Sequence, residues 1–570
     1  MQIKRRSHAQ IPSIQGLPET LARILANRGV DNDSQIDYGL KRLLPPQGLM
    51  HINEAAELLA EAIEADANIV IVGDFDADGA TSCALAMRCL KAFGLANVSY
   101  LVPNRFEYGY GLSPEIVGVA ATRQPDIIIT VDNGISSVDG VHVAQSLGIS
   151  VLVTDHHLPG EQLPTADVIV NPNLPGDRFA SKNLAGVGVI FYVMLAVRAT
   201  LRRQGWFQQS RMEEPNMSQF LDLVALGTVA DVVPLDNNNR VLVQQGLQRI
   251  RSGQSCVGIQ ALLTVGNRKA ARLSSSDLGF VVGPRLNAAG RLDDMSVGIE
   301  CLLTDDIDKA TQLATQLDEL NRARREVEQS MQHDALAIVE NLSMKEDSIP
   351  AIYTLHDKNW HQGVVGLVAS RIKERTHRPV LALAPSDQEG EWKGSARSVE
   401  GVHIRDVLAR VDALNPGLMS KFGGHAMAAG LSLAEGNISK FEDALLAVAQ
   451  EMTAGRDWSQ VMWTDGELTS TDFTMEFAES LRQSNPWGQS FPEPLFDGEF
   501  EVIDARVVGD THAKLKLCPA HSDLQIDAIC FGYLDTHDAL PQGTIRAVYR
   551  LDINEFRERL SLQLLIQYIE

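Results

Sequence analysis

The chain is poor in cysteine: six thiols in 570 residues, with no Cys-x-x-Cys pair. That argues against a structural zinc framework or a disulfide scaffold and suits a reducing cytoplasm. Long hydrophobic runs are missing too. The longest, Val187 to Val197, stops at Arg198. It is too short to span a bilayer and reads as a buried helix. Met1 to Arg6 is basic, but no apolar stretch follows it, so a secretory signal is not expected. There is no Gly-Lys-Ser/Thr phosphate loop, which leaves ATP-driven chemistry without support. Low-complexity segments and short-period repeats are also absent. Positive charge is scarce: 50 Lys and Arg against 73 Asp and Glu give a formal net charge of −23. Phosphate-binding surfaces are normally basic, so composition alone favours a small-molecule enzyme over a nucleic-acid partner. Acid used in metal ligation, or a local basic groove on an acidic body, would reverse that. The motifs have to decide.

The chain has the 45% hydrophobic and 22% charged content of an ordinary globular protein. Its length exceeds what one core supports, so three or four domains are expected. Three short apolar runs in the first half each end in a carboxylate. They are Ile69-Val-Ile-Val72 before Gly73-Asp74, Ile127-Ile-Ile129 before Thr130-Val131-Asp132, and Val151-Leu-Val153 before Thr154-Asp155. Unbroken β-branched runs suit strands buried on both faces of a parallel sheet. Helical stretches, Ala80 to Phe93 and Ser137 to Leu147, separate them. The β-α-β-α order then delivers all three acids to the carboxyl edge, where open α/β sheets bind ligands. From Ile307 to Glu340 the chain is charged and free of Pro and Gly, which predicts a long helix joining two lobes. A second α/β domain follows: a strand at Ala351 to Leu355, a helix at Val364 to Glu374, a strand at Pro379 to Ala384, and glycine-rich turns around Gly394 and Gly423-Gly424. Five short strands close the chain, Phe496 to Val508, Ala513 to Leu517, Leu524 to Phe531, Gly543 to Ile553 and Leu560 to Ile569. They predict a small β-barrel of OB type.

Gly73-Asp74-Phe75-Asp76-Ala77-Asp78-Gly79 is the sharpest motif. Three alternating acids after a buried strand repel one another unless a cation intervenes. Hard divalent ions want several oxygen ligands, which aspartates supply on short arms. The rival readings are an exposed acidic turn or a calcium loop, but an EF-hand would need a glutamate where Leu85 stands. Asp132-Asn133-Gly134 alone is a common turn; its value lies in sharing an edge with the first cluster. Asp155-His156-His157, beside those aspartates, suits a metal ligand and a phosphate-facing acid.

In order and spacing these motifs resemble the DHH phosphoesterase superfamily, and Leu226-Gly-Thr-Val-Ala-Asp231-Val-Val-Pro-Leu235 is similar to its fourth motif. The resemblance implies that Asp78, Asp132, His156 and Asp231 hold one metal. Asp74, Asp76 and Asp132 hold the other, with Asp132 bridging and His157 facing the scissile phosphate. Asp155 belongs with His157 and Asp132 in the catalytic group, although Asp74 and Asp155 could instead orient ligands. Two divalent ions, Mn2+ or Mg2+, would lower the pKa of a water and stabilise the departing oxygen.

Further features resemble the RecJ exonucleases within that superfamily. Asn104-Arg105-Phe106-Glu107-Tyr108-Gly109-Tyr110-Gly111 is either an aromatic turn or a terminal-phosphate site. By resemblance Arg105 binds the 5′ phosphate and Tyr110 contacts a base. Gly283-Pro-Arg285-Leu-Asn287-Ala-Ala-Gly290-Arg291 reads as a conformationally special loop, so Arg285, Asn287 and Arg291 join the substrate-binding set. Gly394-Ser395-Ala396-Arg397 and Gly423-Gly424-His425 resemble the DHH-associated domain and add Ser395, Arg397 and His425. His361, Ser370 and Arg371 are weaker candidates. Asn485-Pro-Trp-Gly488 through Pro494 resembles the turn into a RecJ barrel, where Lys514 and Lys516 face either DNA or solvent. The implied layout is an N-terminal segment (1–45), a DHH domain (46–305), a connecting helix (306–345), a DHH-associated domain (346–455) and an OB-like barrel (456–570). The lobes are expected to form a ring with a narrow cleft. The activity implied is 5′→3′ exonucleolysis of single-stranded DNA in repair and recombination. The implied enzyme is a cytoplasmic monomer, with single-strand-binding protein and a helicase as partners. A phosphodiesterase of short oligonucleotides or cyclic dinucleotides, and a non-catalytic scaffold, are the alternatives.

Overall fold

A computed structural model describes residues 1–7, 16–103, 111–345, 349–520, 522–556 and 559–570. The chain divides into two compact units. The first comprises residues 1–286, 295–314 and 461–570, and the second comprises 287–294 and 315–460.

The first unit opens on a short strand, β1 (Gln2–Arg5). It contains a five-stranded parallel sheet of β2 (Ile69–Gly73), β3 (Val98–Leu101), β4 (Ile127–Val131), β5 (Ser150–Thr154) and β6 (Val168–Val170). The sheet order is β3-β2-β4-β5-β6. Every residue of β2 and β4 is buried, as their unbroken apolar runs require. Two of the five strands carry little signal in the sequence. β3 is only half-buried, with Ser99 in its middle, and β6 has three residues.

The chain leaves β2 to pair β3 on one side, then returns to pair β4 on the other. The strand order therefore reverses between β2 and β4, and a crevice opens at the carboxyl ends of such strands. Register sharpens the point. Gly73 pairs Val131, Val131 pairs Thr154, and Thr154 pairs Val170. The next residue on each strand is Asp74, Asp132, Asp155 and Asn171, so all four stand one step beyond the same paired row.

The predicted long helix runs Ile307–Lys345 and contributes residues to both units. In the second unit β7 (Tyr353–His356), β8 (Val380–Pro385), β9 (Glu391–Arg397), β10 (Lys421–Gly424) and β11 (Ala428–Ala434) form a sheet in the order β10-β11-β9-β8-β7. Alternation along β8 splits the core. Val380, Ala382 and Ala384 face one cluster with Met331, Ala335 and the helix Val365–Thr376, while Leu381 and Leu383 face another with the helices Ile404–Leu414 and Ile438–Met452. Gly394 and Gly423-Gly424, expected in turns, lie in strands. A Cβ on Gly394 would come 2.6 Å from Leu383 Cδ2, so the glycine lets two strands pack closely.

Returning to the first unit, β12 (Val461–Thr464) pairs β1 in parallel. The last five strands, β13 (Phe496–Val508), β14 (His512–Pro519), β15 (Ile526–Cys530), β16 (Thr544–Phe556) and β17 (Arg559–Ile569), close the expected barrel in the order β13-β14-β15-β17-β16. Arg5 of β1 makes three hydrogen bonds of 2.8–3.1 Å to the buried Asp497 of β13. Among the described residues, no helix is long and apolar enough to cross a membrane.

Candidate metal centre

The helix Ala77–Ala92 starts one turn past β2, and its first amides need acceptors. Asp76 caps it, accepting from the amides of Asp78 (2.9 Å) and Gly79 (3.0 Å). Asp78 points instead at a second helix N-terminus. Its carboxylate accepts from Gly186 N (2.6 Å) and Val187 N (3.0 Å) at the head of the helix Gly186–Gln204. Two amides of that terminus thus hold a carboxylate that is fully buried.

Asp132 sits at φ +62°, a left-handed conformation unusual for a non-glycine residue, and only 2% of it is exposed. A Cβ on Gly186 would fall 2.5 Å from Asp132 Cβ, so only glycine leaves room for it there. His156 Nε2 lies 3.1 Å from Asp132 Oδ1 and 3.5 Å from Asp231 Oδ2. Asp231 follows the last residue of the helix Leu221–Ala230. Ligand atoms come within 4.8 Å of one another in three sets: Asp78 with His156 and Asp231, Asp74 with Asp76 and Asp132, and Asp132 with His156 and His157.

Charge repulsion in this cluster is severe. Burial, and then the Asp76 charge, push the Asp78 carboxyl up to about 7. Burial and the charges of Asp78 and Asp76 hold Asp132 and Asp231 well above the usual carboxylate range. Burial and the neighbouring His157 depress His156 to about 4, so its ring is neutral at physiological pH. His156 Nε2 and Asp231 Oδ2 are buried, and neither makes a hydrogen bond among the described residues. Hard carboxylate oxygens crowded around a neutral imidazole lone pair match the donor set of Mn2+ or Mg2+. Bound cations would replace the repulsion with attraction, so the residues fit such a group.

The acid of the third strand is used differently. Asp155 accepts from the amides of His156 (2.7 Å), His157 (3.0 Å) and Ile135 (2.9 Å), and pairs with His157 Nδ1 at 2.7 Å. Burial alone would raise its pKa, but His157 and these amides reverse that and hold it below the ordinary value. Burial opposes a charged His157, yet Asp155 outweighs it and raises the imidazole. Asp155 therefore positions His157 and keeps its Nδ1 occupied.

Sequence reading missed the groups that grip these histidines. Asn171 Nδ2 donates to His157 O at 2.9 Å, and Asn173 Nδ2 to His156 O at 2.6 Å. It also missed Gly186 and gave no role to Gly227 of the fourth motif; a Cβ on Gly227 would lie 2.7 Å from Asp78 Oδ1. The small residues heading the longest apolar run, Gly186-Val-Gly188, were the available signal.

The remaining candidates lie on other elements, and several of them gather around Gly363 and Gly366: a Cβ on Gly366 would lie 2.9 Å from Arg397 Nη2 and from Ser395 Oγ, and one on Gly363 would lie 3.0 Å from His361 Cε1. Arg105 and Tyr110 lie outside the described residues. Gly283 to Arg291 is not a loop: a π-helical turn, Leu278–Val282, leads directly into the helix Gly283–Leu292. Pro284, which has no N–H to donate, falls where the π-helical turn passes into this helix. Arg285 is largely buried and donates to Val281 O at 2.6 Å, while Asn287 and Arg291 are partly exposed; Arg291 Nη1 bonds Gly363 O at 3.2 Å. Arg397 Nη1 donates to Ser395 Oγ at 2.8 Å across one strand face, and His425 is exposed between β10 and β11. His361 Nδ1 accepts from Gly363 N, Ser370 Oγ bonds Gly366 O, and Arg371 pairs with Glu328.

Comparison with known proteins places these features in a family. Residues 68–228 match the model of the DHH family N-terminal domain, 348–454 that of the DHHA1 domain and 464–568 that of the RecJ OB domain. The chain is 52% identical over 571 residues to the single-stranded-DNA-specific exonuclease RecJ of Dickeya dadantii, covering 100% of this chain and 99% of that protein. It is 51% identical over 574 residues to the Escherichia coli protein of the same name, again covering 100% and 99%. The crystal structure of RecJ in complex with Mn2+ from Thermus thermophilus aligns with a TM-score of 0.81 at 28% identity, covering 100% of this chain and 79% of that one.

Proposed function

The chain belongs to the RecJ family of single-stranded-DNA-specific exonucleases, and on that footing we propose that it degrades single-stranded DNA from the 5′ end, releasing 5′-mononucleotides by metal-dependent hydrolysis. The observation that carries this reading is the meeting of Asp74, Asp76, Asp78, Asp132, His156 and Asp231 at one sheet edge, with ligand atoms a few ångströms apart. Asp78, Asp132, His156 and Asp231 would hold one divalent ion, and Asp74, Asp76 and Asp132 would hold the other. Bound Mn2+ or Mg2+ supplies Lewis acidity toward the attacking water and the phosphate oxygens.

The protein's own groups do the rest. His157, protonated through its pair with Asp155, turns Nε2 to the scissile phosphate and offsets charge growing on its oxygens. Asn171 and Asn173 keep both histidine backbones in place. Arg105 captures the 5′ phosphate and Tyr110 a base, which sets the register of cleavage at the first phosphodiester. Asn287, Arg291, Ser395, Arg397 and His425 contact the strand, and Arg285 braces the turn before them. The enzyme works as a cytoplasmic monomer in DNA repair and recombination, supplied with single strands by a helicase and single-strand-binding protein.

The test is Asp132→Ala on a 5′-labelled single strand. Digestion collapses while strand binding persists; near-normal cleavage would reject the assignment. Matched 5′- and 3′-ended strands establish polarity. Preference for a dinucleotide over a long strand would favour a short-oligonucleotide phosphodiesterase instead.

A further inference from the structure

Phe280 is 77% exposed, more than any other large apolar side chain among the described residues. Its surroundings are not those of a loose loop. It stands in the π-helical turn Leu278–Val282, whose end residues Leu278 and Val282 are fully buried. Such turns are rare and recur at functional sites. The turn is seated on the C-terminal end of the helix Leu221–Ala230. A Cβ on Gly279 would lie 3.3 Å from Val229 Cγ1, and one on Gly283 would lie 3.2 Å from Ala230 Cβ. Arg285 ties the turn down through Val281 O.

The residues after Val229 and Ala230 are Asp231, a member of the metal-ligand cluster, and Val232. Val232 is a β-branched residue at φ +62° and is 61% exposed. The turn that carries the exposed Phe280 ring thus packs on the helix end leading into a proposed metal ligand, and Val232 adds a second exposed apolar side chain next to that ligand in the chain. Neither side chain contributes to the core. A single strand threading past the metal centre exposes the flat faces of its bases, and aromatic rings stack on such faces with little regard to sequence. Nothing in the hydrolytic chemistry uses an apolar ring.

Resting on the exonuclease reading, we propose that Phe280 is a substrate-positioning residue that stacks on one nucleobase of the single strand next to the metal centre. Its ring holds the strand in register for cleavage, and the contact is indifferent to base identity but requires a base.

The experiment combines Phe280→Ala with strands carrying one abasic site at each of the first several positions from the 5′ end. With the wild-type protein, one position lowers kcat/KM about tenfold, the effect of losing one stacked base. Phe280→Ala lowers kcat/KM on the intact strand by a similar factor, and that same abasic site then costs nothing further. The other abasic positions behave alike in both proteins. Phe280→Trp restores the wild-type pattern, whereas Phe280→Leu does not. An unchanged melting temperature shows that the exposed ring is not a folding element; if Phe280→Ala melts early, the Trp and Leu pair carries the comparison. The inference is overturned if Phe280→Ala digests intact strands normally, as a protein-docking role would predict. It is also overturned if the abasic and Phe280 effects multiply independently at every position, or if Leu substitutes fully. Failure of the wild-type protein to digest any single strand would instead sink the exonuclease reading itself.

Discussion

Gly186→Ala tests the centre through a residue that carries no chemistry. On helix propensity alone the change is favourable, since alanine exceeds glycine by up to about 1 kcal/mol in a helix. Gly186 begins the helix Gly186–Gln204, and its φ is not left-handed. The added methyl, however, would sit 2.5 Å from Asp132 Cβ, 2.8 Å from its Cγ and 2.7 Å from its Oδ1. Carbon atoms pack at roughly 3.5–4.0 Å, so Asp132 or the helix must retreat by about 1 Å. Asp132 has little room to do so, being buried at φ +62°. A retreating helix would instead pull Gly186 N and Val187 N away from Asp78. A misplacement of about 1 Å in a catalytic constellation costs on the order of 10²-fold in rate, or about 2.7 kcal/mol of activation free energy. The expected result is a hundredfold fall in kcat on 5′-labelled single-stranded DNA at saturating Mn2+. Weaker apparent metal affinity should accompany it, with metal-free melting within a few degrees of wild type. Wild-type kcat with unchanged metal dependence would refute the reasoning.

Further outcomes follow from the same structure. Asn171→Ala with Asn173→Ala frees the backbones of His157 and His156, and should cut kcat by about tenfold or more while leaving single-strand binding intact, as read by filter retention. Asp231→Asn should raise the melting temperature of the metal-free protein and shrink the rise produced by Mn2+, because the native site holds that carboxyl well above its ordinary range. A carboxyl raised in the folded state binds a proton that the unfolded chain has lost. Metal-free stability should therefore fall as pH climbs from the carboxylate range through about 7, where Asp78 titrates, and saturating Mn2+ should abolish that dependence in calorimetric scans. Asp497 behaves oppositely. Burial would raise it, but Arg5, Thr464 and Arg546 hold it below 3.8, so its contribution is present above that value and vanishes as pH falls below it. Asp497→Asn should cost about 1–3 kcal/mol at pH 7 and progressively less as pH falls below 3.8, as measured by denaturant unfolding.

The sequence by itself determined the elements whose signals are local. A buried strand followed directly by an acid reads from Ile69 to Asp74 because both pattern and spacing are covalent. The long helix and the five barrel strands were legible for the same reason, their periodicity being carried within each segment. Where glycine misled, packing decided. Gly394 and Gly423-Gly424 belong to strands, and the Gly283 to Arg291 segment is helical, because a missing side chain marks a close neighbour as readily as a turn. Only the tertiary structure set Gly73, Val131, Thr154 and Val170 in one paired row, which brings Asp74, Asp132, Asp155 and Asn171 to a common edge. Strand register arises from long-range pairing and core packing, which no single segment encodes. The same holds for Gly186, Asn171 and Asn173: their importance comes from what lies against them, a helix start packed on Asp132 and a loop folded back on two histidine carbonyls.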